Sequence, residues 1–158
     1  MSRLIGRPPI SPVPFLTGKI SGYIAWVALF LHLTGAEARH FQLPALFSWL
    51  GYASLAIGLL LTAVSLFDLG NSISFGVPAE ETTLKTHGLY KYSRNPMYAG
   101  FFLLTLAAIL ITSNFYVLGL GVYSIIIYHL IILGEEAFLK NRFGSDYEAY
   151  CKKTRRYF

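Results

Sequence analysis

The fold is decided by residues 95 to 134, which read NPMYAGFFLLTLAAILITSNFYVLGLGVYSIIIYHLIILG. These 40 residues contain one ionisable side chain, His129. As a single helix the stretch would be about 60 Å long, roughly twice the thickness of a bilayer's hydrocarbon core. Its only polar cluster, residues 112–114, lies near the middle. We therefore interpret it as a helical hairpin with arms at 96–112 and 115–133.

Two further stretches are apolar enough to enter a membrane. Residues 43–67 contain no Asp, Glu, Lys, Arg or His, and residues 20–36 are interrupted only by His32. Together with the hairpin they predict an all-α, polytopic membrane protein with four transmembrane helices and the hairpin at its core. A soluble all-α protein is disfavoured because four such runs leave too little polar surface to cover a chain of 158 residues.

The segment before the first span differs from a signal peptide. Pro8, Pro9, Pro12 and Pro14 would break an apolar helical region there. We expect one domain over residues 1–158. It comprises an extended cytoplasmic leader at 1–19, four spans within 20–133, and cytoplasmic C-terminal helices at 134–158.

The basic residues orient this arrangement in the membrane. The chain has 13 Lys and Arg and a net charge of +5. With four spans, Arg39 lies alone on one side, and positive residues favour the cytoplasmic side. Both termini and the loop at 68–95 are therefore predicted to be cytoplasmic. The twelve residues on that side are Arg3, Arg7, Lys19, Lys85, Lys91, Arg94, Lys140, Arg142, Lys152, Lys153, Arg155 and Arg156.

Beyond the fourth span the pattern predicts a short last helix. Gly144 is typical of a helix stop, and Ser145 with Glu148 has the spacing of a capping box. Phe143, Tyr147 and Tyr150 would share one face, flanked by basic residues. We expect an interfacial C-terminal helix near the lipid headgroups. Docking on the protein's own loop is an equal alternative, and the two placements are compatible.

Small residues recur at four-residue spacing in the second span, at Ser54, Gly58 and Thr62. Such a ridge lets helices approach closely in lipid. We expect it to serve packing within this chain, with dimerisation as the alternative.

Two features at the predicted cytoplasmic face could perform chemistry. One is the basic and aromatic run HGLYKYSRNPMYAG at residues 87–100, and the other is the pair Glu135-Glu136. Asn95-Pro96 should begin the third span, since Asn is a favoured N-cap and Pro a favoured first helical residue. Carboxylates at the end of a span need water or a partner. We expect Arg94, Asn95 and the glutamates to converge in one cleft, although a solvated glutamate pair is the simpler alternative.

These motifs resemble the core of the isoprenylcysteine carboxyl methyltransferase family, to which phospholipid methyltransferases are related. The resemblance covers roughly the C-terminal half of the chain. The first family motif is matched by Gly88, Tyr90, Arg94, Asn95, Pro96, Tyr98 and Gly100. The second is matched by Glu135, Glu136, Phe143, Gly144, Tyr147 and Tyr150.

The chain departs from the family pattern at two places. Asn95 stands where eukaryotic members have His, and the tail ends at Phe158 without the Pro of many relatives. Asn is common in bacterial relatives, which favours a bacterial or archaeal cell membrane. Both departures concern the substrate more than the reaction.

The resemblance implies an integral-membrane enzyme that uses S-adenosylmethionine. The acceptor would be a lipophilic small molecule or lipid bearing a carboxylate, thiol or amine. Arg94 is the expected catalytic residue, orienting an anionic acceptor or the cofactor carboxylate, and His129 is a candidate substrate contact. The expected cofactor-binding residues are His87, Gly88, Leu89, Tyr90, Asn95, Pro96, Tyr98, Glu135 and Glu136.

Other functions and ligands are weaker expectations. Membrane sterol reductases share a similar Arg-(His or Asn)-Pro-x-Tyr run but use NADPH, and the glutamate pair disfavours that reading. A scaffold or small transporter should show midplane charges or an internal repeat, and the sequence has neither. No tight ligand spacing predicts a metal. The charge pattern predicts membrane lipids as partners and no nucleic acid.

Overall fold

The computed structural model describes residues 8–36, 39–69 and 83–158, and within these ranges it is all-helical. Residues 1–7, with Arg3 and Arg7, and most of the predicted cytoplasmic loop lie outside the described residues. The described elements, in chain order, are α1 (Pro12–Leu33), α2 (Ala45–Leu69), a 3-10 turn (Gly88–Lys91), α3 (Pro96–Thr112) and α4 (Phe115–Lys153).

The start of α1 corrects the predicted leader at 1–19. The helix begins at Pro12, eight residues before the expected span at 20–36. Proline is tolerated in the first turn because its missing N–H would have no helical partner there. The amide of Phe15 already donates to the carbonyl of Ser11, at 3.2 Å. The prolines that excluded an apolar signal helix therefore help to begin a spanning one.

The turn between α3 and α4 lies where the sequence predicted it. Ser113 adopts a left-handed conformation with φ 48°, which ends α3. Asn114 then caps α4, because its side-chain oxygen accepts from the amides of Tyr116 at 2.9 Å and Val117 at 3.3 Å. Local capping chemistry thus divides the apolar stretch into two helices.

The ridge of small residues packs within the chain, as expected. α3 packs most extensively on α2, and α4 on α1. A Cβ atom added to Gly100 would lie 3.0 Å from the Gly58 carbonyl oxygen and would also collide with the Thr62 hydroxyl. The absence of side chains at Gly58 and Gly100 therefore allows α2 and α3 to approach closely.

The outer surface of the bundle is apolar. Side chains such as Val27, Leu60 and Phe67 are 57%, 63% and 86% exposed. Among the described helices, α1, α2 and α4 are long and apolar enough to cross a bilayer, while α3 has 17 residues and is also apolar. The chain is therefore an integral membrane protein.

Helix α4 continues beyond its apolar part (residues 115–133) into a polar extension (residues 134–153), so the predicted arm at 115–133 is only its first part. Gly144 interrupts it, with φ 51° and ψ −122°, so two helical segments meet at a kink where the sequence predicted a stop. Tyr147 and Tyr150 in the second segment are buried. The segment docks on its own protein, which is the second of the two predicted placements.

Candidate active site

The carboxylate of Glu136 is the centre of a polar cluster at the end of the apolar part of α4. Its Oε1 accepts from Nε of Arg94 at 3.2 Å and from Nδ2 of Asn95 at 2.9 Å. Its Oε2 accepts from Nε and Nη2 of Arg156, at 3.0 and 2.9 Å, and from Nη2 of Arg94 at 3.4 Å. Two arginines and one asparagine thus fix this carboxylate from three directions.

The C-terminal tail holds Arg94 in place. The tail, residues 154–157, runs beside residues 91–95 and pairs Ser93 with Arg155 in an isolated β-bridge. The amide of Arg94 donates to the Arg155 carbonyl at 2.8 Å, and its Nη1 donates to the Thr154 carbonyl at 2.6 Å. The tail therefore fixes both the backbone and the side chain of the residue predicted to be catalytic.

The charges in the cluster stabilise one another. Burial opposes ionisation of Glu136, but hydrogen bonds from Arg156 and Arg94 outweigh it and hold the pKa of this carboxyl below its usual range. The hydrogen bond to Glu136 raises the pKa of Arg156. All three groups are therefore charged at neutral pH.

Glu135 has a different environment. It accepts a hydrogen bond at 2.8 Å from the hydroxyl of Tyr98, a buried residue near the start of α3. The ammonium of Lys19 on α1 is an electrostatic neighbour of this carboxylate. The neighbouring glutamates therefore face different partners, a neutral phenol and an ammonium for Glu135 and guanidiniums for Glu136.

Asn95 occupies the N-cap position of α3, but its side chain does not cap the helix, which corrects the expected role. Its amide group instead donates to Glu136. Pro96 follows as the first helical residue, as predicted, and is buried. The Asn95 side chain thus makes a tertiary hydrogen bond to a charged carboxylate instead of capping its own helix.

The 3-10 turn at Gly88–Lys91 lies between the end of α2 and the polar extension of α4. Gly88 has φ +57°, and an added Cβ would collide with the carboxylate of Asp68 at the end of α2. That carboxylate accepts from the amide of Leu89 at 2.7 Å, while the Tyr90 carbonyl accepts from the Tyr150 hydroxyl at 2.5 Å. His87 precedes the turn and is exposed.

His129 belongs to the same end of the bundle but contacts the tail. Its Nδ1 lies 2.7 Å from the hydroxyl of Tyr157. The Tyr157 ring also packs against Phe102 on α3, with ring centroids 5.7 Å apart. The residue predicted as a substrate contact therefore has a polar partner in the tail of the same chain.

The sequence did not single out every residue of the cluster. Arg156 was counted only among the basic residues of the predicted cytoplasmic side, and Thr154 was not singled out. No periodicity or motif in the chain signals that the tail returns to α4. Within the described ranges, no group of three or more His, Cys, Asp and Glu side chains could hold a metal ion.

Comparison with known proteins identifies the class. A family model described as phospholipid methyltransferase matches residues 46–146, nearly two thirds of the chain. The protein belongs to the phospholipid methyltransferase family, which confirms the family relationship predicted from the motifs.

Particular relatives carry a more specific name. The chain is 33% identical over 106 residues to a protein-S-isoprenylcysteine O-methyltransferase of Schizosaccharomyces pombe, covering 63% of this chain and 44% of the relative. A second, from Dictyostelium discoideum, is 29% identical over 110 residues, covering 67% and 46%. A probable one from Oryza sativa subsp. indica is 25% identical over 159 residues, covering 94% and 81%. The chain thus spans less than half the length of the first two.

Proposed function

We propose that this protein transfers a methyl group from S-adenosylmethionine to a lipophilic or membrane-associated acceptor. The observation that carries the proposal is the convergence of the two family motifs, where Arg94 and Asn95 from one bind Glu136 from the other. Among the carboxylate, thiol and amine acceptors, a carboxylate is favoured because the similar proteins are named isoprenylcysteine O-methyltransferases.

The residues around the cluster fit the proposed cofactor. The hydroxyl of Tyr147 is buried, and Glu136 and Arg94 are among its electrostatic neighbours. The arginines suit a carboxylate, the backbone of His87 to Tyr90 suits adenine or the amino-acid end, and a glutamate suits the ribose hydroxyls. Pro96 and Tyr98 would form the wall at the start of α3.

Glu135 is the better candidate for the ribose. The carboxylate of Glu136 already accepts from Arg94, Asn95 and Arg156, whereas the hydrogen bond described for Glu135 comes from a neutral tyrosine. Exchanging a neutral partner for ribose hydroxyls costs less than breaking an ion pair in a half-buried site. Glu136 would then contribute indirectly, by holding the side chains of Arg94 and Arg156 in place.

S-adenosylmethionine supplies an electrophilic methyl group, and the protein would position the acceptor. An ionised carboxylate or thiolate attacks a methyl group without a general base, so we assign none. The work left to the chain is in-line alignment and exclusion of water. In the proposed mechanism Arg94 orients the anionic partner, because its guanidinium is fixed at both ends by Glu136 and Thr154.

The proposed membrane arrangement has α3 as a fourth span and both termini in the cytoplasm, since positive residues favour that side. The polar cluster then lies at the cytoplasmic interface. A lipid tail could enter sideways between spans, while the cofactor enters from the water. His129, on the same helix as Glu136, would lie along the acceptor's path.

A ligand titration tests this function against the reductase alternative. The purified protein in nanodiscs is titrated with S-adenosylhomocysteine and, separately, with NADPH by calorimetry. Binding of S-adenosylhomocysteine alone is the expected result. Binding of NADPH alone would reject the methyltransferase in favour of a reductase.

A further inference from the structure

The sequence assigns one arginine to the site, but the structure brings a second one to the same carboxylate. Arg156 donates from Nε and Nη2 to Oε2 of Glu136, at 3.0 and 2.9 Å. It reaches Glu136 from the tail, while Arg94 reaches it from the segment before α3. The residues Arg94, Glu136 and Arg156 are called the arginine clamp below.

The two arginines differ in exposure. The side chain of Arg94 is 12% exposed and that of Glu136 11%, whereas that of Arg156 is 38% exposed. Arg94 also donates to the Thr154 carbonyl from Nη1. The described hydrogen bonds of this half-exposed side chain use Nε and Nη2, so its Nη1 has no hydrogen-bond partner within the described part of the chain.

The clamp carries one net positive charge, because two guanidiniums face one carboxylate. The nearby Glu135 cancels this charge only in part, because burial raises the pKa of its carboxyl to about 7 against the opposing effects of Tyr98 and Lys19. A positive charge at the half-buried end of a helix bundle attracts an anion, and a guanidinium edge matches a carboxylate in geometry.

We infer that Arg156 is a further binding residue, whose open guanidinium edge takes the carboxylate of a ligand of this site. This rests on the proposed function and deepens it. The carboxylate could be the amino-acid end of the cofactor or the methyl-accepting group of a lipophilic substrate. Arg94, which is enclosed between Glu136 and the tail, contributes its charge to the orientation of that anionic group, while Arg156 supplies the hydrogen bonds.

The chain offers a matched control in the preceding residue. Arg155 has the same charge and lies in the same tail, but its side chain is exposed. Its backbone carbonyl makes the contact to Arg94, and a side-chain substitution keeps that carbonyl. Arg155→Ala and Arg156→Ala therefore remove the same charge from adjacent positions, of which only one belongs to the clamp.

The test measures binding of two ligand pairs that differ in one carboxylate. The first is S-adenosylhomocysteine and its decarboxylated analogue S-adenosyl-3-thiopropylamine, which keeps the amine. The second is an N-acetyl-S-prenylcysteine and its methyl ester. Wild type, Arg155→Ala, Arg156→Ala and Arg156→Lys are compared by calorimetry in nanodiscs, with thermal unfolding measured in parallel.

Arg156→Ala is expected to weaken one carboxylate-bearing ligand about tenfold or more, while its partner without the carboxylate binds as before. A loss for S-adenosylhomocysteine identifies the cofactor as the source, and a loss for the prenylcysteine identifies the acceptor. Arg156→Lys should recover part of the affinity because it keeps the charge, and Arg155→Ala should change neither pair.

Equal effects of Arg155→Ala and Arg156→Ala would overturn the inference, as would equal weakening of both members of each pair. The second result would indicate a purely structural role. If wild type binds no S-adenosylhomocysteine, the proposed function fails. The prenylcysteine pair then still decides whether Arg156 binds a carboxylate.

Discussion

Nε of Arg94 lies 3.2 Å from Oε1 of Glu136, although the two residues are 42 positions apart in the chain. The contact joins the segment that precedes α3 to the polar extension of α4. It therefore links the two motifs that characterise the family, at the end of the bundle that also contains Tyr98 and Glu135.

Arg94→Ala should abolish methyl transfer while the protein remains folded in detergent. Loss of the fixed guanidinium removes the orientation of the anionic partner, and a drop of about 100-fold or more in kcat/KM is expected. Turnover is measured with isotope-labelled S-adenosylmethionine. Lys91→Ala, at an exposed position of the same segment, is the control and should stay active. A fully active Arg94→Ala enzyme would refute the role.

Glu136→Gln should lower the thermal stability, because it leaves Arg94 and Arg156 without their shared carboxylate. Breaking a buried ion pair costs about 3–5 kcal/mol, and the partial exposure of Arg156 places this case toward the lower end. Glu148→Gln breaks the exposed pair with Lys140 and should cost about 0–1 kcal/mol. Equal melting temperatures for the two variants would contradict the clamp's structural role.

Glu135→Ala should weaken the binding of S-adenosylhomocysteine, since Glu135 is the proposed acceptor for the ribose hydroxyls. Tyr98→Phe removes only the hydrogen bond to this carboxylate and should alter binding by about 1 kcal/mol. Calorimetry measures both. Unchanged affinity in Glu135→Ala and also in Glu136→Ala would reject the ribose contact for this pair of residues.

Gly100→Ala should destabilise the bundle by about 1–3 kcal/mol, because the new methyl group would collide with Thr62 and press on the Gly58 carbonyl. Gly119→Ala is the matched control, since a Cβ added there meets nothing within 4 Å. Unfolding in detergent should separate the two. Equal stability would show that α2 and α3 are not held at this close approach.

Local signals in the sequence predicted much of the fold. The start of α3 at Pro96 and of α4 at Phe115 follow from capping and turn chemistry, and Gly144 marked the kink. Pro12 was misinterpreted because proline both breaks a helix interior and favours a first turn, and the sequence alone did not decide which applies.

The site was predictable only in part, since its contacts are non-local. The convergence of Arg94, Asn95 and Glu136 followed from a hairpin that places both motifs on one membrane face. Arg156 was missed because its contact depends on the tail folding back beside residues 91–95, and no periodicity encodes that return. The Asn95 side chain does not cap α3 because tertiary structure brings the charged carboxylate of Glu136 within hydrogen-bond distance.

The most direct measurement of the central claim is mass spectrometry of a membrane extract incubated with the purified protein and methyl-labelled S-adenosylmethionine. The account predicts a labelled lipophilic product, formed by wild type and absent with Arg94→Ala, with stoichiometric S-adenosylhomocysteine. Absence of any labelled product from a folded protein that binds S-adenosylhomocysteine, across extracts and a prenylcysteine substrate, would contradict it.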